Sequence, residues 1–475
     1  MAVATTNNFT FKDLQTKATA LARHYREHPD DALPAFCKSV PHRSADGYYA
    51  RITSSKFWIK QKRAAAQRLA ELDAQRNRDV GPGGRSQYAS SAAISRKRHA
   101  DAAFAQFASN KKMRNRRTGE LFRLRELISD NPERQKAAEL YAWARGIESL
   151  ADERGYQKFL LTLTLPAEWH PNPTTRRNSW NGCGADVAAR ELLARWQKII
   201  QRWNMNPKIA GKYIGLRTIE PHADGCPHLH AVLYLDPLAT SAAFDDVADF
   251  FDNPSDHKTP GAQAEEIRHS GSSYVYKYVI KNTGADEKEN TDNKIESSTK
   301  EAVVAWRKAL GIRAFQFFGL PARARTSYRE YRKAKREPLC PIAKQLHLAA
   351  TDGDVHKFLD IIENHGNINS RIIEETLDEY GDASQRVIGF QLLTTGESFF
   401  FDTFEEVRQR CDDVFDDYEI DDVFSELAAD LYVEQSESLK VMHNGPSEAP
   451  TPAATLLPEG VRAVTVVGQG SDPPF

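Results

Sequence analysis

Residues 212–235 read KYIGLRTIEPHADGCPHLHAVLYL, and this stretch decides the fold. Two runs rich in β-branched and apolar residues, Lys212–Glu220 and His228–Leu235, flank a turn that contains Asp224 and Gly225. An Asp-Gly pair between two such runs is a strong hairpin signal. The stretch therefore predicts two neighbouring antiparallel strands.

The second strand of this hairpin carries two histidines on one face. In a strand, His228 and His230 point to the same side, and the apolar residues that alternate with them point to the other. Glu220 lies across the turn and can supply a carboxylate to the same point. Two imidazoles and one carboxylate suit a divalent ion that must still bind substrate oxygens: oxygen ligands suit Mg²⁺, and imidazole favours Mn²⁺. The alternative is an ordinary polar strand face; His170 and His222 are further candidate ligands.

A second cluster reads Tyr274-Val-Tyr-Lys-Tyr278-Val-Ile-Lys281. Strand propensity would place its tyrosines on one face, but a helix segregates Tyr274, Lys277, Tyr278 and Lys281 from the apolar residues, and we favour the helix. Because a phenol has a pKa of about 10, it needs help to act as a nucleophile at neutral pH. Lys277 and Lys281 could stabilise the phenolate or the charge of the transition state, and a bound ion would polarise a phosphodiester. The alternative is an aromatic core or edge strand.

These motifs resemble those of the HUH endonucleases and, within them, the two-tyrosine initiators of the phage replication gene A protein family. The resemblance covers residues 155–340, and its motifs include Phe159–Leu165, Glu220–His230, Tyr274–Lys281, Phe315–Gly319 and Tyr328–Arg332. The histidine pair precedes the tyrosines, which is the order of replication initiators rather than of conjugative relaxases. One departure is Cys226, where such proteins often have threonine.

The resemblance implies an antiparallel sheet flanked by helices, with His228 and His230 as metal ligands and Glu220 as the third. It further implies that Tyr274 and Tyr278 alternate as nucleophiles that nick a replication origin, single-stranded or supercoiled. The expected products are a 5′-phosphotyrosyl end and a free 3′-OH that primes rolling-circle synthesis. The sequence contains no GxxxxGK[ST] motif, so strand separation is expected to need a host helicase together with other replication proteins.

The chain as a whole predicts an α+β protein with a central antiparallel sheet, a helical N-terminal region and an acidic C-terminal region. We expect a basic, mostly helical DNA-binding region at 1–150, the endonuclease domain at 151–340, an acidic, mostly helical region at 341–443 and a disordered tail at 444–475. Basic clusters occur at 60–63, 96–98 and 111–117, interleaved with Phe57, Trp58 and Tyr88, which could stack on bases. The polar segment 283–300 predicts a flexible loop.

Charge is divided unevenly along the chain. Of 64 basic and 65 acidic residues in the chain, residues 351–475 hold 7 basic and 27 acidic ones, a net charge of −20; the remaining 57 basic and 38 acidic residues give residues 1–350 a net charge of +19. This asymmetry predicts a polyanionic partner, nucleic acid, for the front of the chain. The five cysteines form no CxxC pair, and no apolar run has membrane-spanning length, which favours a reducing cytoplasm and no membrane contact. The resemblance implies that this is the cytoplasm of a bacterial host if the protein is encoded by a phage or prophage.

Three functions compete at this point. The first is a rolling-circle initiator that acts as a site-specific, metal-dependent endonuclease and ligase on single-stranded DNA. The second is a two-tyrosine transposase, which uses the same chemistry. The third is a noncatalytic DNA-binding protein with a structural metal site. A covalent protein–DNA product separates the first two from the third.

Overall fold

The computed structural model describes residues 11–129, 131–173, 177–251, 261–275, 294–407 and 465–466. These ranges form an α+β architecture, as the sequence predicts. The helices are α1 (Phe11–Glu27), α2 (Ala45–Ile52), α3 (Ser55–Arg76), α4 (Ser91–Asn110), α5 (Leu124–Leu127), α6 (Pro132–Glu153), α7 (Ala185–Met205), α8 (Thr240–Phe251), α9 (residues 271–275), α10 (Lys294–Leu310), α11 (Ala324–Arg332), α12 (Pro341–Asp352) and α13 (Val355–His365). The strands are β1 (Lys112–Asn115), β2 (Leu121–Arg123), β3 (Gln157–Thr164), β4 (Tyr213–Pro221), β5 (Pro227–Leu235), β6 (Ala262–Glu266), β7 (Phe315–Phe318), β8 (Asn369–Leu377), β9 (Ala383–Leu392), β10 (Ser398–Phe400), β11 (Phe404–Glu406) and β12 (Thr465–Val466).

A six-stranded sheet forms the centre of the fold. Its strand order is β12-β6-β3-β5-β4-β7, and every neighbouring pair is antiparallel except β12 and β6. The predicted hairpin is confirmed: β4 and β5 pair along their whole length around a turn in which Gly225 has a φ of 82°. That left-handed conformation favours glycine, which explains the Asp-Gly signal.

Each face of the sheet is covered by helices. The side chains of Leu229, Ala231 and Leu233 join a buried cluster with Trp196 of α7. On the opposite face, the sheet packs against α6, and α13 packs against α6 in turn; Val232 and Trp143 belong to one buried cluster. Because β4 and β5 are buried on both faces of the sheet, the hairpin has little freedom to move.

The N-terminal region is mostly helical, as predicted, with the short β1–β2 hairpin as an addition. The predicted base-stacking role of two aromatic residues is wrong, because Phe57 and Trp58 are 3% and 0% exposed. Trp58 stacks on Tyr25 with ring centroids 5.2 Å apart, inside a small core formed by α1, α2 and α3. Burial of these aromatic rings between the helices is favoured over their exposure to solvent.

The C-terminal region differs from the mostly helical structure predicted for 341–443. Its described part, which ends at residue 407, contains α12 and α13 followed by four strands. The β8–β9 ladder pairs residues 369–377 with residues 383–392, and its β-branched residues and tight turn explain the preference for strands. Residues 408–443 lie outside the described ranges. Of the tail predicted to be disordered, only Thr465 and Val466 are described, and they pair with β6.

The prediction of a flexible loop over 283–300 is wrong for its last part. Helix α10 begins at Lys294, and residues 283–293 lie outside the described ranges. Val303 and Trp306, three positions apart, are buried, so the apolar side chains in this part of α10 hold the helix against the protein.

Acidic residues of the C-terminal strands and turns contact basic residues of the N-terminal region. Arg51 forms ion pairs with Asp378 and Asp382, and Arg116 pairs with Glu374 at 2.6 Å. A hydrogen bond from the Ser44 hydroxyl, followed by the backbone of Arg43 and the Arg51 guanidinium, lowers the pKa of Asp382 to about 2. Part of the charge asymmetry seen in the sequence is therefore neutralised inside the protein.

None of the helices in the described ranges combines the length and the apolar character that crossing a bilayer requires.

Candidate metal and nucleophile site

The predicted carboxylate–histidine cluster forms at the end of the central hairpin. Glu220 on β4 pairs directly with His228 on β5, and His230 follows two residues later on the same face. One ligand atom from each of these three side chains lies within 4.8 Å of the other two. The Nε2 atoms of the two imidazoles are 2.6 Å apart, so the rings converge. The donor set fits a divalent ion.

The triad is accessible to solvent from one side only. Glu220 is fully buried and His228 is 9% exposed, whereas His230 is half-buried. A buried carboxylate is costly unless it is paired or coordinates a metal. An ion held here would keep an accessible position on the side of His230, as a catalytic rather than a structural site requires.

A threonine that the sequence did not single out orients His230. Thr162 on β3 pairs with His230 in register, and its Oγ1 lies 3.0 Å from His230 Nδ1. If Nε2 binds a metal, the ring proton resides on Nδ1 and is donated to the threonine hydroxyl, which fixes the tautomer. Only the pairing of β3 with β5 reveals this contact, because the two residues are 68 positions apart.

We expect Thr162→Val to weaken Mn²⁺ binding about 10- to 100-fold, because the hydrogen bond that orients the ligand is lost while side-chain shape is kept. Isothermal titration calorimetry measures the effect. Thr162→Ser retains the hydroxyl and is the matched control. Equal Mn²⁺ affinity for the valine and serine variants would show that the hydroxyl does not support the ligand.

The hairpin turn is held by a second polar cluster. Asp224 Oδ1 accepts a hydrogen bond from the backbone N–H of Cys226 at 3.0 Å, and Asp224 Oδ2 pairs with His170 Nδ1 at 3.1 Å. Burial raises the pKa of Asp224, but the contacts with His170 and with the turn outweigh it and lower the pKa below its usual value. His222 lies between His170 and His228, with its ring edge-on to the first and tilted against the second, at centroid distances of 4.9 and 4.1 Å. His170 and His222 thus adjoin the triad and are not among its three ligand candidates.

Two helices, α3 and α10, also form hydrogen bonds to this turn. Gln75 of α3 donates to the carbonyl of Asp224 at 3.4 Å, and Trp306 of α10 donates to the carbonyl of Gly225 at 3.0 Å. A Cβ added to Gly225 would approach Gln75 Nε2 to 2.8 Å, so the glycine is needed for this contact as well as for the turn. The N-terminal region therefore contributes directly to the position of the triad.

The segment that carries the tyrosines begins as a helix. Residues 271–275 are helical, which confirms the helical interpretation for Tyr274, and this residue is half-buried. Tyr278, Lys277 and Lys281 lie outside the described residues, so their predicted roles stay predictions.

Glu148 of α6 caps the first turn of α9. Its carboxylate accepts hydrogen bonds from the backbone N–H groups of Gly271 at 2.7 Å and Ser272 at 3.0 Å, and Lys158 Nζ lies 3.1 Å away. Burial raises the pKa of Glu148, but hydrogen bonds from Ser272, Lys158 and Gly271 outweigh it and the pKa is lowered. The charged carboxylate satisfies the otherwise unpaired N–H groups of the helix start.

Close packing brings α9 against the sheet beside the triad. A Cβ added to Gly271 would come within 2.6 Å of Tyr234 Oη, so this glycine permits the approach. A small cavity is lined jointly by His230, Thr218 and Val275. Since Val275 follows Tyr274, the first predicted nucleophile lies on a helix turn adjacent to the predicted metal ligands.

We expect Glu148→Gln to lower any activity that depends on Tyr274 about tenfold, because hydrogen bonds to a charged acceptor contribute about 1.5–3 kcal/mol. Since the folded pKa is lowered, the contribution is present above the unfolded pKa of about 4.3 and disappears as the pH falls through the folded value. Amide hydrogen exchange of residues 271–275 reports on the helix. Glu153→Gln, on the exposed end of α6, is the control; equal exchange in both variants would refute the cap.

The fold and the site together define an α+β protein with a carboxylate–imidazole triad able to hold a divalent ion. The sequence profile of the family described as bacteriophage replication gene A protein (GPA) matches residues 2–286, a range that includes the triad and both tyrosines. The chain belongs to this family.

Several curated proteins are similar to the chain. The probable replication protein P12 of Pseudoalteromonas phage PM2 is 29% identical over 288 residues, which cover 55% of this chain and 43% of that protein. The replication gene A protein of Escherichia phage P2 is 27% identical over 390 residues, which cover 73% and 49%. A probable replication endonuclease from a prophage-like region of Escherichia coli O6:H1 is 26% identical over 258 residues, which cover 47% and 31%.

The chain thus spans about a third to a half of the length of the curated relatives it matches. No solved structure gives a significant match to it. The family is that of phage replication proteins, and relatives carry the name replication endonuclease.

Proposed function

We propose that this protein is a site-specific endonuclease and ligase that nicks single-stranded DNA at a replication origin and thereby initiates rolling-circle replication. The observation that carries the proposal is the adjacency of the Glu220–His228–His230 triad to the helix turn that bears Tyr274. The HUH-type arrangement of a central antiparallel sheet with paired histidines on a middle strand is part of the proposal. The names of the relatives agree with it.

In the proposed reaction, the Oη atom of a tyrosine attacks the scissile phosphorus. The bond from phosphorus to Oη forms, the bond from phosphorus to the 3′ oxygen breaks, and the phenolic proton balances the proton gained by the leaving 3′-OH. The products are a 5′-phosphotyrosyl end and a free 3′-OH. Reversal of the same step by a 3′-OH rejoins a strand, which accounts for the ligase activity.

Glu220, His228 and His230 would hold the divalent ion, Mg²⁺ or Mn²⁺. When bound, such an ion polarises the phosphate and offsets the charge of the transition state. Thr162 keeps the His230 ring oriented, and Glu148 keeps the first turn of α9 in position. Lys277 and Lys281 would favour the phenolate form of the nucleophile, since nearby positive charge lowers the pKa of a phenol.

Two tyrosines permit two successive transfers. After Tyr274 or Tyr278 has taken the first 5′ end, the other still has a free hydroxyl for a second nick, so one protein can terminate a round of replication without releasing its DNA. Strand separation would be provided by a host helicase, and synthesis from the 3′-OH by host replication proteins.

The test uses supercoiled and single-stranded plasmids that carry fragments of the genome encoding this chain. Incubation with Mn²⁺ or Mg²⁺ should convert one plasmid to a nicked form and leave a labelled protein band that persists in denaturing gels. Chelation by EDTA should prevent both products. Binding of a fragment without any covalent band would instead support a noncatalytic DNA-binding protein, and joining of strands from unlinked sites would support the transposase.

A further inference from the structure

An open basic cleft of about 640 Å³ lies along β7, which forms one edge of the central sheet. Lys136 of α6 and Arg307 of α10 line it on either side of the strand, together with Arg313, Arg325 and Arg329. Of the described residues that line the cleft, six are basic and none is acidic. Such a concentration of one sign of charge attracts a polyanion.

The positive charge of this cleft is only partly compensated. Arg325 and Arg329 share the single carboxylate of Glu139, at 3.3 and 2.6 Å. Lys136 and Arg313 form no salt bridge within the ranges that the structure describes. Burial, and then the nearby Arg307, lower the pKa of Lys136, and the opposing effect of Glu133 and Glu139 does not restore it.

A buried arginine beside the cleft also carries positive charge that no carboxylate compensates within the described residues. Arg217 on β4 is 3% exposed, and its guanidinium donates two hydrogen bonds, of 3.1 and 2.6 Å, to the neutral side-chain oxygen of Gln316, which lines the cleft. Its Nη1 atom has no hydrogen-bond partner among the residues that the structure describes. Burial, and then the like charge of Arg313, lower the pKa of Arg217 to about 10. An anion beside Arg313 would relieve this repulsion.

The cleft adjoins the candidate metal site. Thr218 on β4 pairs with His230 on one side and with Phe315 of β7 on the other. Phe315 lines both the basic cleft and the small cavity that contains His230 and Val275. Because β5 and β7 are two strands apart, the backbones that carry His230 and Phe315 are about 10 Å apart. A strand bound at the triad would reach the cleft within a few nucleotides.

The basic clusters of the N-terminal region offer less free charge. In the cluster at 111–117, Lys111 pairs with Glu406, and Arg114 and Arg116 approach Glu405 at 3.9 and 3.6 Å. In the cluster at 96–98, Arg98 pairs with Glu301 at 2.6 Å. These contacts leave the β7 cleft as the better candidate for phosphate binding.

We propose that the cleft along β7 binds the phosphodiester backbone of the single-stranded DNA that flanks the scissile phosphate. This inference rests on the proposed nicking function, because it assigns the path of that same substrate. Phosphate contacts of this kind position a strand without reading its sequence, and Phe315 between the two sites offers a ring against which a base can stack.

The test measures binding separately from cleavage. Fluorescence anisotropy of a mixed-sequence single-stranded 30-mer in EDTA is recorded over a range of salt concentrations for wild type and for the double variant Lys136→Gln/Arg313→Gln. For single strands the slope of log K against log salt changes by about 0.7 per phosphate contact. We therefore expect the magnitude of this slope to decrease by about 1.4. The affinity for the single strand should drop on the order of tenfold at about 0.1 M salt.

The control is the double variant Lys208→Gln/Lys357→Gln, which removes two exposed lysines that do not line the cleft. An unchanged slope in the cleft variant would overturn the proposal, and so would a loss of affinity in the control variant equal to that in the cleft variant. A loss of affinity for duplex DNA without any loss for the single strand would overturn it as well. Nicking by wild type is scored in a separate reaction. Nicking by wild type together with an unchanged slope in the cleft variant would refute only the binding role of the cleft. A reduced slope without nicking would refute only the nuclease function.

Discussion

His228→Ala and His230→Ala are each expected to lower metal-dependent nicking by at least about 100-fold. Each change removes one of the three groups that converge at the end of the β4–β5 hairpin. A bound ion is expected to contribute several kcal/mol to stabilising the transition state, and each 1.36 kcal/mol corresponds to a factor of ten in rate. Initial nicking rates in Mn²⁺ measure the loss.

A control separates ligand loss from unfolding. His365→Ala removes an exposed histidine at the end of α13 and should nick at the wild-type rate. Thermal unfolding of all three variants without metal should be similar, because the apolar face of β5 that packs against α7 is unchanged. Full nicking by His228→Ala or by His230→Ala would refute its assignment as a ligand.

Tyr274→Phe and Tyr278→Phe are each expected to retain some nicking, whereas the double variant should form no covalent protein–DNA band. Phenylalanine keeps the ring and its packing and removes only the nucleophilic hydroxyl. In the proposed reaction either tyrosine can make a first cut, so one hydroxyl suffices for nicking, but two successive transfers need both. Denaturing gels with end-labelled DNA measure the covalent product.

Tyr276→Phe is the matched control, because this tyrosine lies between the other two in the sequence and is assigned no role in the reaction. It should form the covalent band at the wild-type level. If the double variant still attaches to DNA, another residue is the nucleophile, and the role of α9 must be reassigned. If each single variant abolishes all nicking, the two tyrosines do not substitute for each other.

Local patterns in the sequence were sufficient to predict the central hairpin and its triad. Asp224-Gly225 specified the turn, and alternation along the strand put His228 and His230 on one face, so the register with Glu220 followed. The apolar residues of α7 repeat with helical spacing, which is a local pattern of the same kind.

The supporting residues could not be predicted, because they come from distant parts of the chain. Thr162 reaches His230 through strand pairing, and Glu148 reaches α9 across 123 positions. His170, which sequence inspection raised as a ligand candidate, instead pairs with Asp224 in the turn. A single sequence gives no information about which strands or helices become neighbours, and these contacts depend on that packing.

The meaning of the charge asymmetry also changed once the fold was known. The basic front of the chain suggested a polyanionic partner, yet Arg51 is buried against Asp378 and Asp382. Residues at opposite ends of the sequence therefore form one electrostatic contact, and net charge per segment overstates the positive charge available to DNA. Six basic side chains and no acidic one are among the described residues that line the cleft along β7.

In the proposed reaction a tyrosine of this chain becomes covalently joined to the 5′ end of the DNA it cuts. The direct measurement is mass spectrometry of the protein–DNA product after digestion with protease and nuclease. We expect a nucleotide attached through its 5′ phosphate to Tyr274 or Tyr278. Attachment to any other residue, or cleavage that leaves both DNA ends free of protein, would contradict it.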